Sequence, residues 1–115
     1  MIGGPGLTAG LNFGPKFALF EPGTRNTATD LVGKNKANPV AMLNASVLLL
    51  EHIGLDKSAK IVGKAIDSTV NEEKVHTEDI GGNASTQEVV DSILLNVQKQ
   101  MHKFSLFTWF SPLKM

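Results

Sequence analysis

The sequence predicts an α/β fold in partial form, with three helices and one or two strands. Three stretches carry apolar residues at helical spacing, and one short apolar run is bounded by turn residues, as strands are. The helical apolar faces are also too large for three short helices to cover one another. A single strand cannot form a sheet, so its partner must come from elsewhere. The alternative is a helical domain with a β-ribbon.

The N-terminal part of the chain is rich in turn residues. Residues 1–15 contain five glycines and two prolines, which predict a loop and not a central strand. Residues 17–20 (Phe-Ala-Leu-Phe) are apolar and are followed by Glu21-Pro22-Gly23, so this run predicts a short buried strand. Residues 22–27 are polar and predict a second loop.

Two helices are predicted in the middle of the chain. The first begins near Pro39, which suits a first helical position, and ends at Gly54. It carries apolar residues on more than one face, so it should be largely buried. The second begins with Asp56 as its N-cap and continues to Val70 along an apolar stripe. Residues 71–84 are polar, contain two adjacent glycines and predict a loop.

A third helix is predicted from Ser85 to Met101. Ser85 and Glu88 have the spacing of a capping box, in which each side chain accepts a hydrogen bond from the other residue's amide. After residue 102 the composition changes, and residues 103–115 form an atypical aromatic tail. This tail could pack as a final element, bind a membrane surface or bind a partner, and its spacing selects none of these.

Composition excludes several classes of function. The formal net charge is zero, and a nucleic-acid partner requires a local excess of Lys and Arg. No cysteine is present, so disulfides and cysteine-based metal sites are excluded. No apolar run approaches the roughly 18 residues that cross a bilayer, so no transmembrane segment is expected. The first residues show neither a secretory signal nor a transit peptide.

No catalytic constellation is recognisable. The three histidines show neither a Ser-His-Asp grouping nor a metal-ligand spacing. His52 and His102 are each predicted near a helix C-terminus, where an imidazole is favourable for structural reasons. The acidic pairs at residues 72–73 and 78–79 lie in a polar loop and are expected to be solvated.

Three blocks of sequence resemble the isocitrate and isopropylmalate dehydrogenase family. Residues 30–34 (Asp-Leu-Val-Gly-Lys) and 37–39 (Ala-Asn-Pro) resemble its adenosine-binding loop. Residues 76–82 are similar to the Thr-x-Asp-Leu/Ile-Gly-Gly stretch before its last helix. The glycine-rich residues 2–14 are typical of its non-catalytic NAD-type subunits. The resemblance implies that residues 1–102 form the C-terminal part of the family's large domain, with the earlier strands missing, and it favours this fold over the helical alternative.

The resemblance also implies one end of an adenine-nucleotide site. Asp30 would accept hydrogen bonds from a ribose 2′-hydroxyl and would repel a 2′-phosphate, which favours NAD or ADP/AMP over NADP. Leu31 would lie against the adenosine, and the Asn38 amide can both donate to and accept from an adenine edge. On the residues alone, Asp30 is a turn residue and Asn38 caps the helix ahead of Pro39. The implied nucleotide-binding residues are Arg25, Asn26, Thr27, Ala28, Asp30, Leu31 and Asn38.

The positions of Arg25 and Asn26 separate this chain from catalytic members, which have His-Gly there. Arg-Asn resembles the regulatory subunits, of gamma or beta type, of mitochondrial NAD-dependent isocitrate dehydrogenase. In those subunits the corresponding pocket is associated with an allosteric adenine nucleotide. Arg25 could donate to a phosphate through its forked guanidinium or form a salt bridge within the loop, and the sequence favours neither.

The resemblance places the isocitrate-binding and acid/base residues, and the aspartates that bind magnesium or manganese, upstream of this sequence. The function it implies is that of a regulatory subunit, in the mitochondrial matrix, that binds adenine nucleotide and biases a catalytic partner subunit. The whole enzyme would oxidise and decarboxylate isocitrate to 2-oxoglutarate in the citric acid cycle. Two alternatives are a truncated product without function and a small helical interaction module.

Overall fold

A computed structural model describes residues 9–23 and 29–110, with side chains described up to residue 103. It contains two strands and three α-helices, as expected for part of an α/β domain. Three short turns supplement them, at Thr29–Leu31, Ser68–Glu72 and Glu78–Ile80. The regular elements are β1 (Ala9–Phe13), β2 (Ala18–Pro22), α1 (Val40–His52), α2 (Asp56–Asp67) and α3 (Thr86–Phe110).

The two strands form an antiparallel hairpin, with Leu11 opposite Phe20. The prediction of a loop was therefore wrong over residues 9–13. Ala9, Leu11 and Phe13 alternate with a period of two, which suits a strand, although glycines flank the run. The partner strand, which was expected to come from elsewhere, thus comes from this segment, while residues 1–8 lie outside the described part of the chain.

The strand predicted at residues 17–20 is present as β2, which begins one residue later, but the prediction that it is buried was wrong. Phe17 remains 81 % exposed and Leu19 54 % exposed. The hairpin packs through one face only, where the His52 ring of α1 lies 5.6 Å from the Phe13 ring and 5.5 Å from the Phe20 ring. Leu19 alternates to the opposite face, which the described elements leave open.

Helix α1 starts and stops where the sequence predicts. It begins directly after Pro39, and it ends before Gly54, whose φ of +86° is the left-handed conformation of a helix stop. It is not largely buried, however, because Met42 and Leu49 are exposed. The described contacts of α1 are with α2 and the hairpin, so part of its apolar surface faces outward, in agreement with the prediction that three helices cannot cover one another.

Helix α2 begins at Asp56, but Leu55 occupies the N-cap position and Asp56 is the first helical residue. The prediction of Asp56 as N-cap was therefore wrong by one residue. A carboxylate in the first turn still interacts favourably with the positive end of the helix dipole. After Asp67 the backbone continues into the wider turn Ser68–Glu72, so helical backbone reaches Val70 as predicted.

The core lies between the three helices. It is small and consists of aliphatic side chains: Val40, Ala65, Ile66, Val70, Val89 and Ile93. One buried amide borders it. The Asn96 Nδ2 atom donates to Thr69 Oγ1 and to Glu73 Oε1, each at 2.8 Å, so it ties α3 to the turn that follows α2. Within the described residues no buried side-chain nitrogen or oxygen lacks a hydrogen-bond partner, and the polar groups at this core are satisfied.

The predicted capping box at the start of α3 is confirmed. The Glu88 amide donates to Ser85 Oγ at 3.1 Å, and the Ser85 amide donates to Glu88 Oε1 at 3.2 Å. The helix continues to Phe110, past the predicted end at Met101. His102 consequently lies two turns before the end of the helix, and its predicted place near a C-terminus was wrong. Residues 111–115 lie outside the described part of the chain.

Replacing Ser85 with alanine should lower the free energy of unfolding by about 1 kcal/mol, because the Glu88 amide loses its acceptor. Urea unfolding followed by circular dichroism measures this difference. Ser92→Ala removes the same hydroxyl in the middle of α3, where serine is no better than alanine, and should leave stability unchanged or slightly higher. Equal stability of the two variants would contradict a capping role for Ser85.

Among the described residues, none of the helices combines the length and apolar character needed to cross a membrane.

Candidate functional site

The candidate site lies on the loop that joins β2 to α1. Its described part, residues 29–39, opens with the short turn Thr29–Leu31. In this turn Asp30 is exposed and Leu31 is half-buried. The backbone then passes through two left-handed positions, Gly33 with a φ of +78° and Asn35 with a φ of +57°. Asparagine is one of the few side chains that tolerate this conformation, so the bend has a local basis in the sequence.

Asn35 fastens this loop to the start of α3. Its backbone carbonyl accepts a hydrogen bond from the Thr86 amide at 3.0 Å, and its Oδ1 accepts one from the Gln87 amide at 2.9 Å. The Thr86 hydroxyl returns a bond to the Ala37 carbonyl at 2.5 Å. The first amides of a helix have no partner within the helix, so the loop and the helix satisfy each other.

Asn38 lies near the end of the loop, two residues before α1. Its Oδ1 accepts a hydrogen bond from the Val40 amide at 3.0 Å. Pro39 occupies the N-cap position, so the predicted N-cap role of Asn38 was wrong by one residue, although its side chain still binds the first helical amide. Its Nδ2 donates to Asp79 Oδ2 at 3.1 Å. A primary amide has two donor hydrogens and two acceptor lone pairs. One of each therefore remains beyond these two bonds.

The segment of residues 76–82 contacts the loop through Asp79. The fully buried Thr77 donates through its hydroxyl to Asp79 Oδ1. The chain then turns at Gly81, whose φ is +87°, and the Gly82 amide returns to the Thr77 carbonyl at 3.0 Å. A Cβ on Gly82 would lie only 2.0 Å from the His76 carbonyl oxygen. The two glycines are thus turn residues, as the sequence predicts, and the turn places Asp79 beside Asn38.

The predicted site residues are placed as follows. Arg25, Asn26, Thr27 and Ala28 lie outside the described residues. Asp30 and Leu31 share one turn at the start of the described loop, and Asn38 lies at its end. Two further residues, Asn35 and Asp79, hold the loop, and neither was predicted as a site residue. For Asn35, the only local indication was the tolerance of asparagine for the left-handed conformation. Asp79 was expected to belong to a solvated acidic pair.

No group of three or more His, Asp or Glu side chains in the described residues could hold a metal ion. The divalent metal that the resemblance implies therefore has no ligand set in this part of the chain, and no metal-dependent step is assigned to it.

The fold and loop define part of an α/β domain, and comparison with known proteins identifies the family. Residues 1–93 match the family model for isocitrate/isopropylmalate dehydrogenase. This match covers most of the chain, and the chain belongs to that family.

Two similar proteins are subunits of mitochondrial NAD isocitrate dehydrogenases. The chain is 48 % identical over 94 residues to the mitochondrial NAD isocitrate dehydrogenase subunit 1 of Saccharomyces cerevisiae, covering 82 % of this chain and 26 % of that protein. It is 41 % identical over 98 residues to the human mitochondrial NAD isocitrate dehydrogenase subunit gamma, covering 85 % of this chain and 25 % of the relative. The chain thus spans about a quarter of the length of these relatives.

A solved structure has the same arrangement of elements. The crystal structure of isocitrate dehydrogenase from Methylococcus capsulatus superposes with a TM-score of 0.74 at 35 % sequence identity. The superposition covers 83 % of this chain and 28 % of that one. The hairpin, the loop and the three helices therefore form a recognisable part of a larger domain, which confirms the predicted partial α/β fold.

Proposed function

We propose that this chain acts within a subunit of an NAD-dependent isocitrate dehydrogenase and contributes the adenosine end of a nucleotide site. The names of its relatives support this assignment of the enzyme. They also indicate that the protein is mitochondrial, and by extension that it acts in the matrix. The whole enzyme would convert isocitrate to 2-oxoglutarate in the citric acid cycle. Within it this subunit would be regulatory and would assemble with a catalytic subunit. The Arg25-Asn26 pair, in the place of His-Gly, supports the regulatory type.

The observation that carries the nucleotide proposal is the fixed loop between β2 and α1. Asn35 bonds it to the first amides of α3, and Asn38 bonds it to Asp79. A loop held at both places presents its side chains from a defined backbone. Ligand sites depend on such positioning, because a mobile loop must lose conformational entropy before it can bind.

The side chains of this loop suit adenosine. The exposed Asp30 carboxylate can accept hydrogen bonds from vicinal ribose hydroxyls and disfavours a 2′-phosphate. Leu31 supplies an apolar contact, and Asn38 retains a donor and an acceptor for an adenine edge. NAD, ADP and AMP all carry an adenosine group without a 2′-phosphate. The loop therefore selects for this shared group, and the guanidinium of Arg25 could donate to a phosphate of the same ligand.

Several exposed apolar side chains support assembly with further polypeptide. Phe13, Phe17 and Leu19 on the hairpin are more than half exposed, as are Met42 and Ile53 near or on α1. An apolar surface of this kind is unusual on a free domain and is typical of a covered face. We assign the covering of this surface to the other parts of a family member. The exposed apolar surface therefore argues against a stand-alone helical interaction module.

Replacing Asp30 with alanine should weaken ADP binding by about tenfold or more, the effect of losing a charged hydrogen-bond acceptor. Isothermal titration calorimetry of ADP into the full chain measures this change. The wild-type chain should also bind adenosine 2′,5′-bisphosphate more weakly than ADP, and Asp30→Ala should reduce that preference.

The control is Glu51→Ala, which removes one negative charge from an exposed position at the end of α1. It should bind ADP as the wild-type chain does. Equal affinity of the wild-type chain and Asp30→Ala for ADP would contradict the role of Asp30. Absence of heat with the wild-type chain would contradict the nucleotide site as a whole.

A further inference from the structure

We propose that Asp79 is a positioning residue for the adenine end of this site, and that it acts by fixing the orientation of the Asn38 amide. The inference rests on the proposed nucleotide function. It adds a second segment of the chain, the turn of residues 77–82, to a site that the sequence places on the loop of residues 25–38 alone.

The partners of Asn38 permit only one orientation of its amide. The backbone amide of Val40 can only donate, so the atom that faces it must be the amide oxygen. The carboxylate of Asp79 can only accept, so the atom that faces it must be the amide nitrogen. Both contacts therefore demand the same placement of oxygen and nitrogen. An amide held on one side only could turn about its terminal torsion, which has a broad energy profile.

Asp79 is itself held in place by a hydrogen bond within its own turn. Its second carboxylate oxygen accepts the hydroxyl proton of Thr77, which is completely buried. The Thr77 carbonyl in turn accepts from the amides of Ile80 and Gly82 at 3.2 and 3.0 Å. One carboxylate oxygen is thus used to anchor Asp79 and the other to orient Asn38. The side chain connects the tight turn to the nucleotide loop.

This connection fixes the donor and acceptor that Asn38 has left for a ligand. With the amide oriented, the second Nδ2 hydrogen and the second Oδ1 lone pair point in set directions, which is what recognition of a planar adenine edge requires. With Asp79 removed, only the Val40 amide holds the Asn38 side chain, and the freedom that the amide regains must be lost at the moment of binding. The ligand then bears the entropy of ordering it, and affinity falls.

The test is Asp79→Ala in the full chain, with ADP as the probe and calorimetry as the measurement. We expect the dissociation constant to rise about tenfold, as for loss of one hydrogen bond to a charged group. Asp79→Asn keeps an acceptor for Asn38 and should recover most of the affinity. Glu78→Ala removes one negative charge from the same short turn and should bind as the wild-type chain does.

A second measurement separates orientation from stability. In ¹⁵N-labelled protein, the side-chain amide resonances of Asn38 should shift in Asp79→Ala and remain near their wild-type positions in Glu78→Ala. A lower melting temperature with unchanged ADP affinity would mean a purely structural role and would overturn the proposal, as would unchanged Asn38 side-chain resonances. If the wild-type chain itself does not bind ADP, the nucleotide function fails, and the Asn38 resonances still report separately whether Asp79 orients the amide.

Discussion

Replacing Gly82 with alanine is expected to destabilise the fold by at least about 3 kcal/mol, at the upper end for a single added methyl group. The new Cβ would lie 2.0 Å from the His76 carbonyl oxygen and 2.5 Å from the carbonyl carbon. These are backbone atoms and cannot move aside as the end of a flexible side chain can. The turn that places Thr77 and Asp79 would have to open, so the hydrogen bond from the Asn38 amide to Asp79 should be lost as well.

Thermal and urea unfolding, followed by circular dichroism, measure this effect. Gly63→Ala is the matched control, because Gly63 lies within α2 and its added Cβ would meet Val47 Cγ1 at an ordinary 3.8 Å. This variant should gain about 0.5–1 kcal/mol from the higher helix propensity of alanine. The same chemical change thus has opposite expected signs at the two sites. A Gly82→Ala chain as stable as the wild type would contradict the close approach of residues 76 and 82.

Truncating Ile93 to alanine is expected to cost about 2–5 kcal/mol, the range for deleting a buried aliphatic side chain and leaving a cavity. Ile93 lies on α3 and is only 4 % exposed. It packs in the core cluster with Val89 and with Ile66 of α2. Because this core has few members, the loss of one should remove much of the stability of the chain, and the variant should melt without a sharp transition.

Leu94→Ala provides the control, since it deletes a side chain of the same composition one position further along α3. Leu94 is 54 % exposed, so its truncation should change stability by well under half as much. Guanidinium unfolding of both variants measures the difference. A cooperative wild-type transition is required for the comparison, and it would also argue against a truncated product that does not fold. Equal losses at the two positions would contradict the described burial.

The helices were predictable because their information is local. The capping pair Ser85 and Glu88, Pro39 ahead of α1 and Gly54 after it each act on neighbouring residues, and the sequence shows them directly. The first strand of the hairpin was not predicted, since glycines conceal the period-two pattern of Ala9, Leu11 and Phe13. Burial was also overestimated for α1 and β2. An apolar run predicts that a face can be covered, but the cover depends on which other elements are present.

The candidate site likewise has residues that were predicted and contacts that were not. Asp30, Leu31 and Asn38 were predicted from a resemblance, and the structure describes them on one loop. Nothing local indicates that Asn35 caps the start of α3 or that Asp79 faces Asn38. Those contacts join parts of the chain that are far apart in sequence, and spacing within one segment carries no information about them. The acidic pair at residues 78–79 was expected to be solvated and is exposed, but Asp79 also accepts two hydrogen bonds that the sequence did not predict.

The bonds that hold the loop have a consequence for the order of folding. Asn38 and Asp79 are 41 positions apart in the sequence, and Asn35 and Gln87 are 52 positions apart. Closing such long loops is entropically unfavourable until the intervening helices have docked. The loop should therefore acquire its shape only as α3 comes into place. A short peptide copied from residues 29–38 would lack the site, and a nucleotide that prefers the formed loop would stabilise all three helices through it.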